Sequence, residues 1–506
     1  MSSIVFRDVS FSYDASPDGL LSGASFGVSE GWTGVIGPNG AGKTTILRLA
    51  CGDLDPRRGR IDRPAGPVYC PQRTDDPMSE FGSLLDAADG DAYRLRGKLG
   101  IEQDWLSRWE TLSHGERKRA QIGTCLWLKR QLLAVDEPTN HLDRPARKLV
   151  ADALRSFRGI GLLVSHDREL LDDLCEHVLF IDPPRAVLRS GGYTVATKEA
   201  SQEGALAREA RTKAHKERKR LEREAAVRRT HLAKAERKKS LRNADPRDSD
   251  ARAKAYAARN ADSGVGKRLR QIQGRVQQAA ERETSIRVTR PADLGIEIAG
   301  AASSRNALVR APAGRLALGE DRSLSFPDLI VQPTDRVALV GPNGSGKSTL
   351  LRHIVAGLVL PENRIVSIPQ EISIEESAAI LATVRRLPSD VRGRAMSWVR
   401  RLGSDPERLL GSELPSPGEV RKLILARHLA CESHLILMDE PTNHMDLPSI
   451  EAVEAALAGF PGALLLVSHD ERFLGALTTV RWEIEADAPS ASTFTLSVRS
   501  VRQGTA

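Results

Sequence analysis

Five hundred and six residues, at about 150 per domain, set the scale for roughly three domains. Hydrophobic residues at 40% and charged residues at 28% suit buried cores and exclude wholesale disorder, and aromatics at 4% argue against an all-β sandwich. Apolar stretches such as Leu435–Met438 and Ala463–Val467 fall far short of the ~18 residues of a membrane span, which excludes a membrane channel.

The opening MSSIVFRDVS has no charged region followed by an apolar core, so no secretory signal is expected. Cys51, Cys70, Cys125, Cys175 and Cys431 form no CxxC pair and read as reduced thiols of a cytoplasmic protein. The net charge of +8 is unevenly placed: residues 198–290 hold 27 Lys or Arg against 13 Asp or Glu, a net of +14, which leaves −6 for the other 413 residues. A basic segment between two mildly acidic bodies points to a polyanionic partner for that segment, the alternative being a solvated helical linker with charges paired at i,i+4.

Along the chain, Trp32–Ile36 is a short apolar strand entering the turn Gly37-Pro38-Asn39-Gly40-Ala41-Gly42-Lys43-Thr44, after which Ile46, Leu47, Leu49 and Ala50 have helical spacing. The turn matches GxxxxGK[ST], whose glycines let backbone N–H groups converge on phosphate oxygens while the next helix offers its positive end. Lys43 then reaches the β and γ phosphates and the Thr44 hydroxyl holds Mg²⁺, with Thr45 completing the set. Ser113-His114-Gly115-Glu116 opens a helix as a capping box, serine first and glutamate three residues later. Leu132–Val135 is a continuous apolar run, as in a strand buried on both faces of a parallel sheet. It ends at Asp136, where a carboxylate can meet the metal, and Glu137 follows, placed to orient or deprotonate water. Gly161–Val164 is the next strand and leads to His166, expected at the γ-phosphate and the water.

The same order then recurs. Arg336–Val340 enters Gly341-Pro342-Asn343-Gly344-Ser345-Gly346-Lys347-Ser348, followed by Thr349. Ser416-Pro417-Gly418-Glu419 repeats the capping box with proline at the first helical position, where it sacrifices no hydrogen bond. Asp439 and Glu440 repeat Asp136 and Glu137, and His469 repeats His166 with the same separation of 30 residues from the aspartate. Two copies of one α/β module are therefore expected, at 1–197 and 291–485, with a linker at 198–290 and a short tail at 486–506 in which Phe494, Leu496 and Val498 alternate as in a strand.

Within the linker, Leu206, Ala210, Ala214, Leu221, Ala225 and Leu232 form one narrow apolar stripe, and Leu269, Ile272, Val276, Ala280 and Ile286 form another. Pro246, Asp248 and Gly264 break the pattern between them. The expectation is an antiparallel helical hairpin with its tip near 242–266 and a first helix about 60 Å long. Arg242, Arg247, Arg252, Lys254, Arg259, Lys267, Arg268 and Arg270 crowd the tip, and Tyr256 there can stack on a base, so phosphate contacts are favoured over sequence reading.

The order of glycine loop, Gln72 or Gln370, SxGE, DEPTNH and SHD resembles the ATP-binding cassette superfamily. Tandem cassettes, a basic linker and no membrane domain resemble its ABC-F branch. That resemblance implies two P-loop NTPase domains closing head to tail on two ATP molecules within one monomeric chain. Ser416, Gly418 and Glu419 then complete the site on Lys43, and Ser113, Gly115 and Glu116 complete the site on Lys347. It also implies that Gln72 and Gln370 sense the metal, that Asp143 and Asp446 lie across the seam, and that Tyr13 stacks on adenine. The matching offset in the second copy falls on Ala317, and the second signature reads Leu414-Pro415-Ser416-Pro417, so unequal sites are expected.

By the same resemblance the hairpin reaches rRNA, the P-site tRNA and the peptidyl-transferase region of the ribosome. Only about 40 residues separate Gln72 from Ser113, which leaves no room for the inserted arm of several housekeeping members and points to the antibiotic-resistance, ribosome-protection type. A housekeeping translation factor, the ATPase subunit of a transporter and a DNA-associated cassette protein are the alternatives.

Overall fold

The computed structural model describes residues 2–13, 19–140, 142–240, 271–286, 303–319, 322–358, 360–361, 364–370, 372–412, 415–429, 433–443, 445–487 and 492–500. Two compact units divide the chain, one made of Met1–Ala196 with Ala292–Ala506 and the other of Thr197–Pro291. The first unit contains both cassettes.

In the first cassette, strands Val68–Cys70, Leu132–Asp136, Ile160–Val164, Gly31–Ile36 and Cys175–Asp182 lie side by side in that order, all parallel, with Arg185–Ser190 antiparallel at the edge. Leu132–Asp136 and Ile160–Val164 are buried at every residue, because helices cover both sheet faces. A separate antiparallel sheet of Leu21–Ser29, Ser3–Phe11 and Arg58–Asp62 packs beside it.

The second cassette repeats the central order with Ile365–Ile368, Leu435–Asp439, Ala463–Val467, Arg336–Val340 and Val480–Ala486. Here the sheet continues, since Thr493–Ser500 pairs antiparallel with Val480–Ala486 and parallel with Ser323–Phe326. The alternation of Phe494, Leu496 and Val498 at the chain's end thus belongs to a strand: Phe494 and Leu496 are buried and Val498 is exposed.

The linker unit contains the 48-residue helix Tyr193–Ser240 from Thr197 onward, its first turn belonging to the other unit, and a second helix within 271–285. The buried and half-buried positions Ala214, Arg218, Leu221, Ala225 and Arg228 on one helix alternate four and three residues apart, as do Ile272, Val276, Ala279, Glu283 and Ile286 on the other. The stripe read from apolar residues is corrected here, because Leu206 and Ala210 are exposed. Arginine stems occupy seam positions instead, and Glu283 receives both His215 (2.9 Å) and Arg218 (3.2 Å). Leu269 and the tip residues Arg242, Arg247, Arg252, Lys254, Tyr256, Arg259, Lys267, Arg268 and Arg270 lie outside the described residues, as does the side chain of Leu232.

Leu465 sits in the middle of a five-residue strand that is wholly buried between two sheet neighbours. Leu465→Ala is expected to destabilise the protein by about 3 kcal/mol through lost burial and a residual cavity, read as a lower urea midpoint.

Candidate nucleotide-binding sites

Each parallel sheet delivers a glycine loop at the end of its central strand. Gly42 and Gly346 hold φ of 92° and 93° immediately before helices Lys43–Cys51 and Lys347–Ala356. A Cβ on Gly42 would stand 2.4 Å from Leu20, and one on Gly346 would stand 2.6 Å from Leu318. Glycine is thus required twice over, by backbone hand and by space. Neither helix start receives a side-chain cap, so its N–H groups face the loop's concavity. Lys43 Nζ donates to Gly37 O and Pro38 O (2.9 and 3.2 Å), and Lys347 Nζ to Gly341 O and Pro342 O (2.8 and 2.9 Å). Each ammonium is folded back on its own loop.

Asp136 ends the buried strand Leu132–Asp136 and accepts from Thr44 Oγ1 at 2.7 Å and Tyr69 OH at 3.2 Å. Burial raises its pKa, and Asp439, hydrogen-bonded by Ser348, is raised for the same reason. The next residues, Glu137 and Glu440, take left-handed φ of 47° and 49°, uncommon for glutamate. Their N–H groups donate to Val164 O and Val467 O on the adjacent strands, at 2.9 and 2.8 Å, which locks the turn. Burial, with Asp136 alongside, pushes Glu137 up to about 8. Burial likewise pushes Glu440 up to about 7, against the opposing pull of Lys347 and Arg147. Such carboxylates are suited to accept a proton near neutral pH.

Each glutamate meets the histidine that follows the neighbouring strand. His166 Nε2 lies 3.1 Å from Glu137 Oε1, and the His166 N–H donates to Oε2 at 3.2 Å. His469 Nε2 lies 3.5 Å from Glu440 Oε1 and 3.1 Å from Asn343 Oδ1. Burial, then Lys347 and Arg147, hold His469 down at about 3, so its imidazole is neutral.

Both signature serines cap their helices. Glu116 N donates to Ser113 Oγ while Glu116 Oε2 accepts from Ser113 N, and Glu419 with Ser416 repeats both bonds. Across the seam between the cassettes, the Asn39 N–H donates to Asp446 Oδ2 (2.7 Å) and the Asn343 N–H to Asp143 Oδ2 (3.3 Å). The loop of each cassette is therefore touched by the other.

A cleft of about 630 Å³ gathers Lys347, Ser348, Thr349, Gln370, Asp439, Glu440 and His469, with Ala317 and Leu318 at one side. From the first cassette its lining includes Arg147 and not Ser113, Gly115 or Glu116. Gln72 instead lines a smaller cleft with Thr74, His114 and Lys118. Tyr13 is 45% exposed, and its hydroxyl lies 3.0 Å from Thr45 Oγ1, which brings the ring to the first loop's helix.

Three residues escaped sequence reasoning. Lys118, 2% exposed, donates to Pro71 O (2.6 Å) and Gln72 O (3.3 Å), and its counterpart Arg421, also 2% exposed, donates to Gln370 O and Asn443 O. Each ties the signature helix to the glutamine loop of its own cassette. Their shared offset of five residues after Ser113 and Ser416 was the available signal. Arg147 is the third, and its contact with the second cassette has no local signature.

Each metal candidate pairs one carboxylate with one hydroxyl, and among the described residues no three His, Cys, Asp or Glu side chains cluster as a complete metal cage. Hard oxygen donors in an incomplete set fit Mg²⁺, which completes its shell with phosphates and water.

The ABC transporter family matches twice, at residues 21–140 and 324–443. The tylosin resistance ATP-binding protein TlrC of Streptomyces fradiae is 32% identical over 94% of this chain and 96% of its own length. The ribosome protection protein VmlR of Bacillus subtilis is 27% identical over 88% of this chain and 80% of its own. The energy-dependent translational throttle protein EttA of Mycobacterium tuberculosis is 29% identical over 90% and 87%. A solved structure of RNase-L Inhibitor shares the fold with a TM-score of 0.63 at 18% identity, covering 98% of this chain and 91% of that one. Among the described residues no helix is long and apolar enough to cross a membrane.

The raised carboxylates carry a cost in stability. Glu137 keeps its proton up to about pH 8 when folded and loses it near its ordinary 4.5 when unfolded. Through that window the folded state holds the extra proton, so stability falls as pH rises, by about 1.4 kcal/mol for each unit of displacement. Glu137→Gln is expected to raise the Tm of the nucleotide-free protein by several degrees above pH 8 and to change it little near pH 4.5. Equal shifts at both ends, measured by scanning calorimetry, would contradict this account.

Proposed function

Since the chain belongs to the ABC-F family of ATP-binding cassette proteins and is an ATPase, we propose that it binds the ribosome while ATP is held and leaves on hydrolysis. The observation that carries this reading is that both loops are complete and each is touched by an aspartate of the opposite cassette. Closure therefore bears on both sites at once.

In this reading the N–H groups of Gly37–Thr44 and Gly341–Ser348, with Lys43 and Lys347, cradle the phosphates. Thr45 and Thr349 extend each cradle, and Tyr13 supports the base at the first. Thr44, Asp136 and Gln72 hold one Mg²⁺, and Ser348, Asp439 and Gln370 the other. The ion, when bound, neutralises phosphate charge. Glu137 and Glu440 orient or deprotonate the attacking water, and His166 and His469 hold each glutamate in place. Ser416, Gly418 and Glu419 close over the Lys43 site, and Ser113, Gly115 and Glu116 over the Lys347 site, through capped helix N-termini that favour anions. The cassettes are read as residues 1–197 and 291–485, the second joined in its sheet by the strand Thr493–Ser500 of the tail, and they are paired within one monomeric cytoplasmic chain.

The linker, residues 198–290, supplies the ribosome contact. Its +14 charge favours folded RNA, and the basic tip from Arg242 to Arg270 is assigned to the P-site tRNA and the peptidyl-transferase region. Protection against an antibiotic is the favoured outcome, supported by relatives named for tylosin resistance and ribosome protection. A housekeeping translation factor is the second reading, supported by the relative named a translational throttle.

Two measurements test this. The double variant Glu137→Gln/Glu440→Gln is expected to co-sediment with ribosomes in ATP at least tenfold more than the wild type, and no enrichment would sink the ribosome reading. Expression in a drug-sensitive host is expected to raise inhibitory concentrations for macrolides, lincosamides, streptogramins or pleuromutilins. Unchanged values for all four would move the chain to the housekeeping reading.

A further inference from the structure

Asp143 caps the helix Arg144–Leu154 in the first cassette, and Asp446 caps Leu447–Ala458 in the second. Four residues after each cap the two copies diverge. Arg147 crosses the seam and donates from Nη1 to the carbonyl of His469 at 3.0 Å, while its Nε donates to Leu142 O at 3.0 Å. The same guanidinium lies 3.8 Å from Asp167 beside the first cassette's own His166. Its counterpart, Ile450, is 1% exposed in the second cassette's apolar core. The residue after each SHD diverges too. Arg168, 4% exposed, reaches Glu454 at 2.8 Å and Asp470 at 3.5 Å, whereas its counterpart is Glu471. Two arginines of the first cassette therefore grip the second cassette's histidine loop, and the reciprocal positions carry no cation.

We propose that Arg147 is a positioning residue supplied in trans. By fixing the His469 carbonyl it sets the imidazole against Glu440 and Asn343, so that hydrolysis on Lys347 requires the seam to be closed while hydrolysis on Lys43 does not depend on this contact. A guanidinium bidentate between two loop carbonyls acts only in the paired state, because separation withdraws it from His469 while leaving its bond to Leu142 intact. The Lys347 site thus reports on closure through a guanidinium bond that the reciprocal residue, Ile450, cannot supply to the Lys43 site. The inference rests on the reading of both loops as ATP sites and not on ribosome binding, and its assays contain no ribosomes, so the two can fail separately.

The test uses the full chain with one site silenced at a time. In the Glu137→Gln background, where Lys347 is the competent site, Arg147→Ala is expected to lower kcat about tenfold with KM changed less than about twofold. Arg147→Lys, which keeps the charge and a donating nitrogen but not the fork that spans both carbonyls, should restore part of that loss. In the Glu440→Gln background Arg147→Ala should leave kcat within about twofold. Dissociation of mant-ATP decides the matter should either background fail to turn over. Arg147→Ala is expected to speed release about fivefold in a Lys43→Ala chain and to leave it unchanged in a Lys347→Ala chain. Equal effects at the two sites, in turnover or in release, would overturn the proposal.

Discussion

A carboxylate taken out of water demands a cation, and each cassette stations two of them, Asp136 with Glu137 and Asp439 with Glu440, at the end of a fully buried strand. All four are lifted above their ordinary pKa values by burial. The nearby lysines answer only partly, because Lys43 and Lys347 spend their donors on loop carbonyls. A divalent cation and a phosphate together resolve the imbalance: the ion meets the aspartate and hydroxyl, and the phosphate draws on the lysine and the uncapped helix N–H groups. Nucleotide affinity and the tuning of the glutamates thus arise from one electrostatic deficit built into the strand ends.

The seam between the cassettes is held largely by charge. Arg168 with Glu454 and Asp470, Arg144 with Glu471 at 3.4 Å, and Arg472 with Asp172 at 3.3 Å all join one cassette to the other. Tyr193 adds a hydrogen bond to Glu451 at 2.6 Å, and Leu447 enters the first cassette's core. Such contacts suit a surface that must part and rejoin. Ionic groups regain water when separated, whereas a wide apolar face would pay its full exposure each time. Geometry decides the closed arrangement, and the net free energy of closing stays small enough for a nucleotide to control it.

Much of the fold was legible because its signals are local. A wholly apolar run such as Ala463–Val467, followed by Ser-His-Asp, is a buried strand whatever surrounds it, and the repeated spacing from Asp136 to His166 fixes one architecture twice. What escaped depends on distant partners. Lys118 and Arg421 look like surface charges of an amphipathic helix, and only the glutamine loops folding beneath them make them buried clamps. Leu206 and Ala210 fit an apolar stripe, yet the seam runs through Ala214, Arg218 and Leu221, where arginine stems cover apolar surface and Glu283 supplies the charge. The strand Thr493–Ser500 showed its alternation but not its place between two other strands.

Fusion of two copies in one chain changes what the seam requires. In a symmetric dimer each surface patch must match itself, so an arginine facing the partner's histidine loop would appear at both sites. Here the first copy always meets the second, and complementarity is needed once in each direction. Arg147 against Ile450, Arg168 against Glu471, His114 against Pro417 and Tyr13 against Ala317 are divergences a self-matching interface could not hold. The paired strands beneath them keep the same order and register. Asymmetry therefore reaches positions that face the nucleotide or the other cassette, and beyond them the sheet edge that Thr493–Ser500 extends, while the five central parallel strands that present the sites stay common to both.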